Sequence, residues 1–130
     1  MRYVLDSNAV IAAMASHPLM TLHLATVAPG DAAISSIVHF ELLFGAYNSD
    51  RVVANLQSLD RLSFPILPFD AEDARAAGEI RATLRRRGTP IGPYDVLIAG
   101  QALARGLTLV TANTDEFVRV EGLLVEDWTA

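Results

Sequence analysis

The chain has 130 residues, a length that argues for one domain, residues 1–130, around a single core. Hydrophobic residues make up 52% of it, which excludes a disordered chain, and the absence of cysteine excludes disulfide scaffolds, thiolate zinc sites and cysteine nucleophiles. The formal net charge of −5 neither requires nor forbids a polyanionic partner, because nucleic-acid binders show themselves by a local basic patch.

Short apolar runs alternate with longer helical patterns, the sign of βαβ units and a parallel sheet in an α/β protein. Tyr3-Val4-Leu5 reads as a buried strand. Asp6-Ser7-Asn8 is rich in N-cap types and precedes a helix over Ala9–Met14. A second helix runs from Pro18 to about Val27 and is ended by Pro29-Gly30. Ala32–Ile34 is a strand, and Ser35-Ser36 caps a helix from Ile37 to about Tyr47. Asp50–Leu59 reads as a helix, Ile66-Leu67 as a short strand, and Ala71–Arg87 as a long helix closed by Gly88. After the loop Gly88–Pro93 comes a helix over Tyr94–Arg105, closed by Gly106. Leu107–Val110 is the clearest strand, Thr111–Glu116 a polar turn leading to a helical turn at Glu116-Phe117, and Leu123–Val125 an edge strand. No apolar run approaches the roughly 18–20 residues of a membrane span. Asp6, Ser7 and Asn8 interrupt any leader-like stretch, so the expectation is a soluble, cytoplasmic protein with no membrane partner.

Four acids stand where the pattern is otherwise apolar or a core element ends: Asp6, Glu41, Asp95 and Asp115. Gathered by a fold, four carboxylates repel one another unless a divalent cation lies between them. Asp6 follows the first strand, on the edge where open parallel sheets bind ligands. Its ordinary role there is a helix N-cap, and the two roles are compatible. Glu41 lies in Ile37-Val38-His39-Phe40-Glu41-Leu42-Leu43-Phe44, apolar almost all round. A buried glutamate needs a metal or a partner, for which Arg81 is one candidate. Asp95 in a first helical turn is explained by the helix dipole alone, at about 0.3–1 kcal/mol. Its setting behind a Gly-Pro-Tyr loop, on an apolar central helix, is what raises its interest. After the last clear strand, Asn113, Asp115 and Glu116 compete for one role, and ordinary turn chemistry explains all three.

Arg81, Arg85, Arg86 and Arg87 form the one basic cluster, suited either to bidentate phosphate contacts or to complementing a helix C-terminus. Arg105 and Arg119 are further candidates at the cleft rim. His17, His23 and His39 show no metal-ligand spacing, and there is no Gly-rich phosphate loop, dinucleotide fingerprint or Ser/His/Asp signal. A phosphoaspartyl phosphatase would want an acid two residues after Asp6, where this chain has Asn8.

Five stretches in this order, "YVLDSNAVIA", "ISSIVHFELLFGA", "LPFD", "GTPIGPYDVLIAGQAL" and "LTLVTANTDEFVRVEGLLVEDW", make the chain resemble the PIN-domain ribonucleases, and among them the VapC toxins of type II toxin–antitoxin systems. The resemblance covers essentially the whole chain. It implies a PIN-like three-layer sandwich, with a short, mostly parallel sheet of about five strands flanked by helices. It implies a Mg²⁺- or Mn²⁺-dependent endoribonuclease, with Asp6, Asp95 and Glu41 as metal ligands. The fourth acid of the wider family aligns near Asn113, with Asp115 close by. Ser7, Asn8, Ser35 and Thr111 match positions that shape the site, and Val38 stands where many relatives carry Thr. Arg81, Arg85 and Arg86 are the candidates for holding RNA, with a transfer RNA as the family-level substrate. A cognate antitoxin and a homodimer within a larger complex are the implied partners. Leu42-Leu43-Phe44 and the surroundings of Met14, Leu19 and Met20 are the candidate docking groove. The alternative is a catalytically degenerate PIN fold that only binds RNA or a partner; a DNA substrate is the other reading the acids allow.

Overall fold

In the computed structural model, which describes residues 1–130, five short strands form one sheet. They are β1 (Tyr3–Leu5), β2 (Ala32–Ser35), β3 (Ile66–Leu67), β4 (Thr108–Val110) and β5 (Val125–Glu126), in the spatial order β3-β2-β1-β4-β5. All four pairings are parallel, so the mostly parallel sheet expected from sequence is parallel throughout. Seven helices connect them: α1 (Ser7–Met14), α2 (Pro18–Ala25), α3 (Ser36–Tyr47), α4 (Val52–Asp60), α5 (Ala71–Arg86), α6 (Pro93–Arg105) and α7 (Thr114–Phe117). The chain steps outward from β1 to β3, then returns through α5 and α6 to β4 on the far side of β1. Right-handed crossovers assign the outward helices to one face of the sheet and the returning ones to the other. The order therefore reverses between β1 and β4, and the carboxyl edge at such a reversal is where open α/β sheets hold ligands.

Val4, Leu5, Ala33, Ile34, Leu109 and Val110 are buried, as strands covered on both faces require. Val10, Met20, Val38, Leu84, Ile98, Phe117 and Trp128 fill the space between the sheet and its helices. Trp128 stacks on His23 and meets the edge of Tyr3, which places that histidine in a structural contact. α5 and α6 pack closest of all. A Cβ on Gly100 would lie 2.6 Å from the backbone of Ala77, so only glycine fits there.

The helix ends follow local chemistry. α5 opens with a reciprocal capping box between Asp70 and Asp73. Gly106, at φ 66°, closes α6 in the left-handed conformation that glycine adopts without strain. The expected elements are all present, with ends displaced by at most two residues. The largest changes are a one-turn helix that begins at Thr114, two residues before the helical turn expected at Glu116-Phe117, and a last strand at Val125-Glu126 rather than Leu123–Val125. No helix is long and apolar enough to cross a membrane.

Candidate active site

Sheet register alone brings the first site residues together. Leu5 lies opposite Val110 on β4 and opposite Ile34 on β2, so the next residues, Asp6, Thr111 and Ser35, share the carboxyl edge of the sheet. The Asp6 amide donates to Val110 O at 3.1 Å and continues the ladder by one step. All three of these side chains are buried. Asp6 does two jobs: Oδ1 accepts from the Ala9 amide at 2.8 Å and caps α1, while Oδ2 accepts from Thr111 Oγ1. Burial pushes the Asp6 carboxyl above its ordinary range, the two hydrogen bonds pull against this, and nearby Asp127 adds to the rise. Ser35 Oγ accepts from the Ile37 amide at 3.0 Å and starts α3.

Glu41, one turn into α3, is half-buried and its partner is not an arginine. Ser7 Oγ donates to Glu41 Oε1 at 2.9 Å and ties the start of α1 to the middle of α3. Arg81 is exposed and makes no ion pair. Asn8 is exposed at the head of α1.

Asp95, in the first turn of α6, is half-buried and accepts no hydrogen bond from the protein. Its carboxyl is pushed up to about 6 by desolvation first, and then by the negative charges of Glu116, Asp6 and Glu41. These four carboxylates therefore form one electrostatic unit drawn from four separate parts of the chain. Gly92 helps to assemble it. A Cβ there would come 3.1 Å from Asp95 Oδ2, and its amide donates to Glu116 Oε1 at 2.8 Å.

The fourth corner is occupied by Glu116. Asn113 Nδ2 donates to Glu116 Oε2 at 2.6 Å, while the Asn113 amide donates to Thr111 Oγ1 at 2.9 Å. Asp115, one residue earlier, is exposed, and the charge from this segment that raises Asp95 is that of Glu116. The reason is helical register: with Asn113 as N-cap, Glu116 is the third residue of α7 and turns back toward the cap, whereas Asp115 faces outward. That Asn-x-x-Glu spacing was the available signal for Glu116. Asp127, just beyond β5, is an acid at the same edge for which the sequence carried no comparable sign.

The donor set is oxygen throughout, the kind that hard cations such as Mg²⁺ and Mn²⁺ prefer. As the side chains stand, no three acids converge on a common ligating point. Mg²⁺ needs only one or two carboxylates and keeps several of its waters. An unpartnered Asp95 among three like charges fits that requirement.

The arginines divide. Arg105 is not at the cleft rim: its guanidinium reaches Asp73 at 3.0 Å and Asp70 at 3.5 Å and also donates to Pro68 O, binding the end of α6 to the start of α5. Arg87 approaches Glu121 at 3.7 Å, and Arg119 donates to Pro90 O at 3.1 Å. Arg81, Arg85 and Arg86 have no carboxylate within ion-pair distance. Of the expected docking residues, Met20 and Leu42 belong to the core, while Met14, Leu19 and Phe44 are exposed. A groove of about 340 Å³ bounded by Ile11, Met14, Leu42 and Leu59 runs up to Ser7 and Glu41.

The model of the PIN domain matches residues 3–123. The chain is 39% identical to a tRNA(fMet)-specific endonuclease VapC from Shigella flexneri, over 99% of each sequence. Its fold superposes with a TM-score of 0.92 on a chain of VapBC2 from Rickettsia felis bound to a DNA fragment from their promoter, at 37% identity and covering 98% of this chain and 99% of that one. DNA-bound VapBC from Salmonella typhimurium gives the same score at 38% identity, covering 98% of both chains.

Proposed function

The chain belongs to the PIN-domain family, and from that premise we propose that it is a VapC-type toxin, a divalent-metal-dependent endoribonuclease held in check by a protein antitoxin. The observation that carries the catalytic part is the single electrostatic unit of Asp6, Glu41, Asp95 and Glu116, with Asp95 left unpartnered and its carboxyl pushed up to about 6. Asp95, with Asp6 and Glu41 beside it, would hold a Mg²⁺ or Mn²⁺ ion that keeps several of its waters, and Glu116 would add to the negative field there. When bound, the ion lowers the pKa of a water and offsets the charge that builds on the phosphodiester.

The chain's own groups supply geometry. Thr111 and the Ala9 amide fix the Asp6 carboxylate, Ser7 fixes Glu41, and the Gly92 amide with Asn113 fixes Glu116. Holding these oxygens before substrate arrives removes reorganisation from the reaction step. Arg81, Arg85 and Arg86, free of internal carboxylates, contact the RNA backbone, a contact that weakens with salt. The similar Shigella protein is named for a transfer RNA, which makes a structured transfer RNA the substrate class to test first. The groove beside Ser7 and Glu41 is the place for the antitoxin, close enough to the acids to cover them. The functional unit is the single PIN domain, acting in the cytoplasm as a homodimer within the toxin–antitoxin complex.

The test is cleavage of transfer RNA and of a matched DNA by the purified protein with Mg²⁺ or Mn²⁺, beside Asp6→Asn and Asp95→Asn. Each variant is expected to lose activity by more than the roughly 10–100-fold that outer-shell partners cost. Wild-type rates in both variants would sink the assignment. Failure of the wild type to bind Mn²⁺ at millimolar concentration would favour the degenerate binding module.

A further inference from the structure

Two half-exposed rings stand directly beside the acids. Phe40 precedes Glu41 on α3 and Tyr94 precedes Asp95 on α6; they are 51% and 46% exposed. Their centroids lie 5.7 Å apart with the planes tilted by 57°. The pair bridges the two helices whose next residues are two of the gathered carboxylates. Even in contact with each other, the two rings leave about half of their surface to solvent. Neither position gains helix propensity from an aromatic residue.

Cationic groups complete the setting. Arg81 borders two adjoining depressions of about 340 and 350 Å³ along α5 and α6, both floored by Pro93 and Val96. Tyr94 lines one of them and Arg85 the other, and neither arginine is neutralised by a carboxylate. Tyr94 thus has a free guanidinium in the depression it lines and a site carboxylate as its next residue, the groups that would meet a nucleotide's base, a backbone phosphate and the cleavage point.

We propose that Phe40 and Tyr94 form a stacking platform for an unpaired base of the substrate RNA, adjoining the phosphate that is cut. The proposal rests on the ribonuclease reading and adds to it the two side chains that hold a base beside the phosphate that is cut. Base–aromatic stacking tolerates any base, so the platform sets position rather than sequence.

The probe is a short single-stranded oligoribonucleotide carrying 2-aminopurine, whose fluorescence falls when it stacks. It is offered to the wild type and to Phe40→Ala, Tyr94→Ala and Tyr94→Phe, with cleavage followed in parallel and self-association measured by sedimentation. The expected result is quenching by the wild type and by Tyr94→Phe. Each alanine variant should lose quenching, with KM raised roughly 5- to 100-fold and kcat changed less. Alanine variants that quench and cleave like the wild type overturn the proposal. So do variants that change only self-association, which would make the pair an interface between copies. A wild type that quenches without cleaving keeps the platform and removes the ribonuclease reading, and one that neither quenches nor cleaves removes both.

Discussion

Asp95 heads α6 and Asp73, on α5, is tied to its other end, and their environments drive the two carboxylates in opposite directions. At Asp73, burial by itself would raise the pKa, but Arg105, the Asp70 amide and Gln101 overcome it and hold the group below the ordinary carboxylate range. At Asp95, burial acts with Glu116, Asp6 and Glu41, and nothing in the chain opposes them. One cluster carries its own cation and closes on itself. The other has none and stays open to one from outside. Acidity alone therefore does not mark a site; what separates the two is whether the protein supplies the counter-charge.

That contrast can be broken most sharply at Arg105. Arg105→Ala leaves Asp73 buried without its cation and is expected to cost about 2 kcal/mol, less than a fully buried pair because solvent partly screens the arginine. Urea unfolding reads this, and Mn²⁺ affinity of the folded protein should stay at the wild-type value. Lost Mn²⁺ affinity with unchanged stability would merge the two clusters into one. Ser7→Ala acts the other way round. It frees Glu41 and should weaken Mn²⁺ binding about tenfold by calorimetry, with little change in unfolding.

The smallest effect is on pH. The folded pKa of Asp95, about 6, lies above its ordinary 3.8, so the native state binds that proton more tightly than the unfolded chain. Its contribution is fully present below about pH 4 and is lost as pH rises through about 6. For the metal-free protein this amounts to about 1 kcal/mol after screening by solvent. Asp95→Asn should flatten that part of the stability profile, leaving the contribution of Asp6, whose shift has the same sign. A slope unchanged by Asp95→Asn would show that neither burial nor the neighbouring charges raise the Asp95 carboxyl.

Much of this was legible in the residues. Apolar runs such as Tyr3-Val4-Leu5 and Leu107–Val110, set between helical patterns, identify the α/β class, and acids at strand ends fall on the edge that register then unites. The partner of Glu41 was not legible, because Ser7 lies 34 residues away and only the packing of α1 on α3 selects it over Arg81. The choice of Glu116 over Asp115 turned on one residue of helical register in a four-residue helix. Arg105 looked like a rim cation because its carboxylates, Asp70 and Asp73, are brought to it by the close approach of two helices.

That close approach reaches beyond packing. α6 carries Asp95 in its first turn, Gly100 and Gln101 in its middle and Arg105 at its end, so a single rod bears both clusters. Gly100 is pressed against Ala77 with no space for even a methyl group, about 7.5 Å along the axis from Asp95. Any side chain there would prise the rod away from α5 and swing its charged head out of alignment with Asp6 and Glu41. A change at position 100 would then masquerade as a chemical defect, silencing the protein through leverage alone.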